Sequence, residues 1–344
     1  MSSFRNKQTQ DIAEPIRKSP APITDSPSST ESDTAHQDLA LLTHLERLDA
    51  IRNKANDVLE PKGSRIVLLS ASDGQGHNGA ITDLFKNMKE NREEYCAYHG
   101  YTYQFINLSK YAPLTRPAVW YKMPAILEAF NLNPSAEWVW WLDTDAIIMT
   151  PQIDLASHLL NPESLKARIT YGEKIKYPDG SASKFTVPES INTRKIDIIL
   201  AQDHNGVNAG SILFRRSEWT FQFLNFWQDS QFLSMNFSRM EQDALNYIFM
   251  NYPRMQDHFA FVPLRTINAI SVGQSGMGWL SGDLVVHFAG CWVTQECDTR
   301  WKDFWSRREI AGQPSESVVY FNATEINENR AASLQAANLD SASK

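Results

Sequence analysis

Two aspartates two residues apart, Asp143 and Asp145, directly follow the apolar run Trp138-Val-Trp-Trp-Leu142. Alternate residues leave the same face at a strand end, so the two carboxylates are expected to converge there. Converging carboxylates repel one another unless a cation sits between them. A hard ion such as Mg²⁺ or Mn²⁺, held by one or two carboxylates and completed by phosphate oxygens, is the usual result. An ion so held can bridge a diphosphate and offset the charge that builds on a departing phosphate. Asp-x-Asp also occurs in solvated turns. Here a run that belongs in the core delivers both charges without a polar spacer, which favours function and brings Thr144 to the same ligand.

Other residues could complete such a site. His287 lies in Leu284-Val-Val-His-Phe-Ala-Gly290. It is either a hydrogen-bonded core residue or a third metal ligand, and imidazole would tilt the choice from Mg²⁺ toward Mn²⁺. Lys122, just before Pro124, is either a solvated lysine at a helix start or a partner for phosphate. The small residues Ser70, Ala71 and Ser72 end the first strand and permit close backbone approach by a nucleoside. Asp203, Asn208 and Gly210 occupy a Gly/Asn-rich stretch that reads as a turn or as a ligand loop. Ser238 and Glu241 have the spacing of a capping box, and Gln242 follows, its amide placed to meet a sugar without acting as a base. Gln242 and Asp203 are the candidates for a catalytic role.

The elements that must position these residues are legible in outline. Arg65–Ser70 is a short apolar run that breaks at Ser72-Asp-Gly74, as a buried parallel strand would. Ile81, Leu84, Phe85, Met88, Tyr95 and Cys96 mark one face of a helix stopping at Gly100. Tyr101–Leu108 reads as a second strand and 121–132 as a helix with Pro124 in its first turn. Trp138–Leu142 is the third strand. This rhythm predicts an α/β domain with a mostly parallel sheet covered by helices, which binds ligands at the strands' carboxyl ends. Residues 151–195, with Pro162, Pro178-Asp-Gly180 and Pro188, read as an insertion over the sheet. Ser211–Arg215 is a strand, Ser217 caps the next helix, and Phe261–Leu264 and Leu284–Phe288 are two more strands.

Outside 63–311 the composition changes. Residues 1–36 are rich in Ser, Pro, Thr and Asp and are expected to be disordered. Leu41, Leu45, Leu48 and Ile51 give 37–62 an amphipathic helical pattern, whether stalk, coiled coil or helix folded back. Residues 312–344 form a polar tail. The chain of 344 residues carries a formal charge of −7 without a basic stretch, which argues against nucleic acid as a partner. Its ten tryptophans are mostly core, with some available as platforms for sugar rings. Three cysteines, an odd and low count, argue against a disulfide scaffold and show no zinc spacing. A bridge between Cys291 and Cys297 is possible in an oxidising compartment, leaving Cys96 buried. Sequons at Asn107, Asn236 and Asn322 lend slight support to the secretory pathway. No run approaches the ~20 apolar residues of a membrane span and no signal-peptide core opens the chain, so a soluble or trimmed form is expected.

Four motifs in this order, Trp140-Trp-Leu-Asp-Thr-Asp-Ala146, Gln202-Asp-His-Asn-Gly-Val-Asn-Ala-Gly-Ser211, Glu241-Gln-Asp-Ala244 and His287-Phe-Ala-Gly-Cys291, resemble the fungal galactosyl/mannosyltransferase family. That family includes α-1,2-galactosyltransferases and Golgi α-1,6-mannosyltransferase subunits, with plant xyloglucan xylosyltransferases as distant relatives. The resemblance runs from about Arg65 to Trp305. It implies a GT-A fold, Rossmann-like, a nucleotide-sugar donor, a glycan acceptor, Mn²⁺ and retention of configuration. Asp143, Asp145 and His287 become metal ligands, Gln242 faces the donor sugar, and Lys122, Asn208 and Gly210 become donor-site residues. Location in the Golgi lumen follows from the resemblance alone, because the family's N-terminal membrane anchor is not seen here. GDP-mannose and α-1,6 transfer are favoured, with UDP-galactose and α-1,2 transfer the alternative. A weakly active subunit working beside sister transferases is a further possibility. A phosphatase of the haloacid-dehalogenase type would carry Asp-x-Asp on its first strand, and a glycoside hydrolase needs carboxyls further apart.

Overall fold

The computed structural model describes residues 62–74, 80–112, 115–272 and 276–313. The expected tail at 1–36, the expected helix before Pro61 and the tail beyond 313 lie outside them. The three strands expected in the first half are present as β1 (Ile66–Ser72), β2 (Thr102–Asn107) and β3 (Trp138–Leu142). Then come β4 (Ala146–Ile148), β5 (Lys174–Lys176), β6 (Ala182–Thr186), β7 (Ile198–Asp203), β8 (Gly206–Arg215), β9 (Phe259–Phe261), β10 (Ala269–Ile270) and β11 (Val285–His287).

β1 is buried from Ile66 to Ala71 and β3 along its whole length, as continuous apolar runs must be when both faces of a sheet are covered. Helix Leu84–His99 joins β1 to β2 and stops at Gly100, which adopts a φ of 73° that an L side chain resists. Helix Lys122–Leu132 joins β2 to β3, with Pro124 in its first turn. The central sheet has the order β2-β1-β3-β8-β7-β9. β1 therefore lies between β2 and β3, and the chain leaves it on one side and returns on the other. The crevice at the carboxyl ends of β1 and β3 is the switch point at which open α/β sheets bind ligands. β8 runs against both neighbours, β3 and β7, while the other pairings are parallel. The sheet is thus mixed and mostly parallel, in line with the expected α/β domain.

A second sheet, β10-β11-β4, continues directly from the acidic motif. β4 begins at the residue after Asp145 and pairs antiparallel with β11, so that Ala146 lies opposite His287. Asn91 of helix Leu84–His99 grips β4 at Ile148, donating to its carbonyl at 2.9 Å and accepting from its N–H at 2.8 Å. Its amide does for β4 what a neighbouring strand would do.

The second half departs from expectation in detail. The stretch 203–210 is not a long loop. β7 runs to Asp203 and β8 starts at Gly206, leaving only His204 and Asn205 as the turn. Gly206 takes a φ of 89°, and a Cβ there would lie 2.3 Å from Asn246 Nδ2. The strand expected at 261–264 is β9, which ends before Pro263, and Leu264 opens a short helix, Leu264–Ile267. Proline lacks the N–H that a strand interior needs. Within 151–195, helix Pro162–Arg168 is capped by Asn161, and β5 and β6 form a hairpin around Pro178-Asp-Gly180. Gln202 ties that hairpin to β7, accepting from Lys176 N–H and donating to Lys174 carbonyl oxygen.

Ser217 accepts from Thr220 N–H, the expected cap. Trp140, Trp227 and Trp301 are fully buried, in line with the core reading of the tryptophans. Cys96 is buried, and Cys291 and Cys297 are bridged with Cα atoms 4.8 Å apart.

Candidate active site

Asp143, Asp145 and His287 form one group, each offering a ligand atom within 4.8 Å of the others. The convergence has a different cause from strand alternation. Residues 143–145 are the tight turn between β3 and β4, and the turn aims both carboxylates at the end of β11. His287 Nε2 lies 3.5 Å from Asp145 Oδ1 and 3.9 Å from Asp143 Oδ2. Bonds of about 2.1 Å set ligands on an octahedral ion roughly 3 Å apart when adjacent and roughly 4 Å apart when opposite. The two His287 separations fall between those values, and two carboxylates with one imidazole suit a divalent transition-metal ion. The residues therefore fit a divalent ion.

The electrostatics are those of a charged group held out of water. Burial alone lowers the pKa of the His287 imidazole, but the Asp145 and Asp143 carboxylates prevail and lift it above its ordinary 6.5. Burial raises Asp145, and His287 then brings it below its ordinary 3.8. Asp143 stays partly exposed and accepts from Trp141 Nε1 at 2.6 Å. Thr144 is buried between them.

Gly210 lets His287 in. A Cβ on Gly210 would fall 2.2 Å from His287 Cε1 and 2.6 Å from Nδ1, so the ring rests on the bare α-carbon. The Gly210 carbonyl accepts from Asp143 N–H at 2.8 Å, extending the β3–β8 pairing into the acidic turn. Its N–H donates to Asn208 Oδ1 at 2.9 Å. Asn208 in turn donates to Asp203 Oδ2 at 2.8 Å. Asp203 thus reaches the group only through Asn208, and its other oxygen accepts from Asn205 N–H at 2.6 Å.

Lys122 is not solvated. Its side chain is buried, with Nζ 2.7 Å from the Ala209 carbonyl oxygen, 3.1 Å from Glu241 Oε1 and 3.5 Å from Asp143 Oδ1. Burial alone would lower its pKa, but the Asp143 and Glu241 carboxylates carry it above 10.5. Burial keeps Glu241 above its ordinary 4.5 despite Lys122. The capping box at Ser238 and Glu241 is not formed. Helix Met240–Asn251 has Arg239 at its N-cap without a side-chain cap, and Glu241 turns inward because Lys122 offers a buried charge. Gln242 Oε1 accepts from Ala209 N–H at 2.8 Å. The Ala209 peptide is therefore held at its oxygen by Lys122 and at its nitrogen by Gln242.

Ser70 is fully buried and donates to the Leu142 carbonyl at 2.9 Å, binding the ends of β1 and β3 together. Ala71 follows it, and Ser72 accepts from Gly74 N–H at 3.0 Å. The structure thus links Asp143, Asp145, His287, Asn208, Gly210, Lys122 and Gln242 directly. Ser70 is joined to them through the strand end, Asp203 stands behind Asn208, and Ala71 and Ser72 line the neighbouring strand end.

Three residues escaped the sequence reading. Arg92 is fully buried, donates to the Asp143 carbonyl at 3.1 Å and is pushed down to about 10 by burial. It lies among Lys89, Glu90, Glu93 and Glu94, which look like a solvated helix face. Glu241 has the spacing of a capping residue, yet its buried carboxylate meets Lys122 instead. Asn268, buried between Ile267 and Ala269, donates to Asn208 Oδ1 at 2.8 Å. A lone amide in an apolar run was its one signal.

The chain is similar to known proteins over most of the described residues. The model of the galactosyl transferase GMA12/MNN10 family matches residues 62–298. A probable α-1,2-galactosyltransferase, gmh2, of Schizosaccharomyces pombe is 39% identical over 253 residues, 72% of each chain. An α-1,2-galactosyltransferase of the same yeast is 31% identical over 69% of this chain and 64% of its own. The probable α-1,6-mannosyltransferase MNN10 of Saccharomyces cerevisiae is 31% identical over 67% of this chain and 63% of its own. Among solved structures, a glycosyltransferase involved in glycosylation of the major capsid of PBCV-1 is 18% identical with a TM-score of 0.45, covering 70% of this chain and 98% of that one.

Proposed function

We infer that this chain, which belongs to the galactosyl transferase GMA12/MNN10 family and is a glycosyltransferase, moves a hexose from a nucleotide-sugar to a glycan with retention of configuration, at a divalent-metal site formed by Asp143, Asp145 and His287. The observation that carries this reading is the convergence of those three ligands at the switch point of the sheet, beside a buried lysine. When bound there, Mn²⁺ would neutralise the donor diphosphate and favour departure of the nucleotide. The remaining roles fall to the chain itself. Asp143, Asp145 and Glu241 bring three carboxylates, against the fixed cations Lys122 and Arg92. A divalent ion turns that surplus of negative charge into a positive one, which suits a diphosphate. Lys122 supplies positive charge beside Asp143, and Gln242 and Asn208 fix the β8 backbone that the donor sugar would meet. The buried strand ends of β3 and β11 shield Asp145 and His287, while Asp143 stays open to a ligand.

For the donor we take UDP-galactose, a departure from the mannose favoured above. The two galactosyltransferases compared here carry that activity in their names, and gmh2 is 39% identical to this chain. GDP-mannose is the second reading, supported by the mannosyltransferase relative at 31% identity. The Cys291–Cys297 bridge suits an oxidising compartment, which supports a Golgi location. Among the described residues no helix is long and apolar enough to cross a membrane.

Titrating the purified chain with Mn²⁺ and a panel of UDP- and GDP-sugars, with transfer to mannose-containing acceptors as readout, tests both parts. Mn²⁺-dependent transfer from one donor is expected, lost in Asp145→Asn. Unchanged transfer by that variant would sink the metal reading.

A further inference from the structure

The amides behind Gly210 have orientations that one carboxylate dictates. Asp203 can only accept, so Asn208 must turn its NH₂ to Asp203 Oδ2, at 2.8 Å. Asn208 Oδ1 then faces the other way and accepts twice, from Gly210 N–H at 2.9 Å and from Asn268 Nδ2 at 2.8 Å. Asn268 must likewise offer its NH₂ to Asn208. Its own Oδ1 is left pointing away, buried and without a hydrogen-bond partner among the described residues. On the adjacent strand a second atom is in the same condition. His287 Nδ1 is buried and has no hydrogen-bond partner among the described residues either.

The two residues flank the same piece of backbone. Asn268 bonds to Asn208, and the His287 ring rests on Gly210, two residues further along β8. Asn268 directly precedes β10, which pairs in parallel with β11 and sets Ile270 opposite His287. One atom is an acceptor and the other can be a donor. Leaving both unpaired in the interior is costly, and a gap wider than a hydrogen bond between such atoms is commonly spanned by a buried water.

We propose that Asn268 is a positioning residue for His287, its Oδ1 taking the hydrogen bond of Nδ1–H through one buried water and so fixing the tautomer whose Nε2 lone pair faces Asp143 and Asp145. Imidazole ligands are ordinarily held this way by the partner of their other nitrogen. Asp203 then acts at the far end of the relay. Its charge sets the direction of each amide up to the histidine. The inference rests on the metal-site reading above and extends it to residues that touch neither metal nor donor.

The test is a titration of the purified, donor-free chain with Mn²⁺, free ion being followed by electron paramagnetic resonance, with urea midpoints measured in parallel. Asn268→Leu, which lacks an acceptor, is expected to bind Mn²⁺ about 10–100-fold more weakly. Asn268→Asp keeps an acceptor toward His287 but loses the donor to Asn208. It is expected to bind as tightly as the unaltered chain even where its urea midpoint falls. A purely structural role predicts the reverse order, because the aspartate sets two oxygens against each other. Should Asn268→Leu not fold, Asp203→Asn carries the same test. Its new NH₂ reverses the amides and is expected to weaken Mn²⁺ to a similar degree. Equal binding by the leucine variant, or equal loss in both Asn268 variants, overturns the proposal. No binding by the unaltered chain overturns the metal reading, and this inference with it.

Discussion

Single atoms decide much of this site. The Gly210 α-carbon has no room for a methyl group beneath the His287 ring. Gly210→Ala is therefore expected to displace the ring and weaken Mn²⁺ binding at least tenfold, with a smaller effect on the urea midpoint. Calorimetric titration beside denaturation would show the split. The Lys122–Glu241 pair gives a prediction of the opposite kind. Removing one partner of a buried pair leaves an uncompensated charge, at about 3–5 kcal/mol. Lys122→Met strands both Glu241 and Asp143 and should lie near that range, whereas Glu241→Gln leaves Lys122 its contact with Asp143 and should cost less. Chemical denaturation of the two variants orders them. At this scale the sequence was readable where charge broke an apolar run, as at Asp143, Asp145 and His287. It was silent on Arg92, whose neighbours are the charged residues of an ordinary solvated face, and nothing local tells which member of such a face turns inward.

Elements place those atoms. The first three strands were legible because continuous apolar runs bounded by turns have few other uses. The start of β8 was not, because Gly206, Asn208 and Gly210 have the composition of a loop. The two glycines answer to separate demands: Gly206 supplies the left-handed turn residue, and Gly210 clears space for a ring on another strand. A single sequence cannot separate those causes. Helix Met240–Asn251 was placed correctly but its cap was not, since a distant lysine outbid the local pattern. The Cys291–Cys297 bridge joins the segment after β11 to the start of helix Cys297–Arg307. A loop this short contributes about 2 kcal/mol in the chain-entropy account. Changing both cysteines to serine should lower the unfolding free energy by about that amount, measured in urea, with reductant giving the same shift in the unaltered chain and none in the variant.

The whole molecule couples the site to its surroundings through protons. Without metal, the folded-state pKa of His287 is raised, so its contribution to stability is full below 6.5 and is lost as pH rises through the folded value. Asp145 is depressed, so its contribution holds above 3.8 and is lost as pH falls through the folded value. A metal ion needs His287 without its proton and therefore competes with the ion pair. Mn²⁺ at 100 times its dissociation constant adds about 2.7 kcal/mol of stability. Because a proton must leave first, the rise in melting temperature with a fixed Mn²⁺ concentration should grow between about pH 6 and pH 8. Calorimetry across that range checks it. A constant shift would mean that His287 does not ligate.

The Ala209 peptide, gripped at its oxygen by Lys122 and at its nitrogen by Gln242, has a use as a clock. Its N–H bonds to a side chain from helix Met240–Asn251, so the proton can trade with heavy water only when that bond opens. Deuterium uptake at this one amide therefore times how often helix Met240–Asn251 lets go of β8. A nucleotide-sugar that seats between them should slow it.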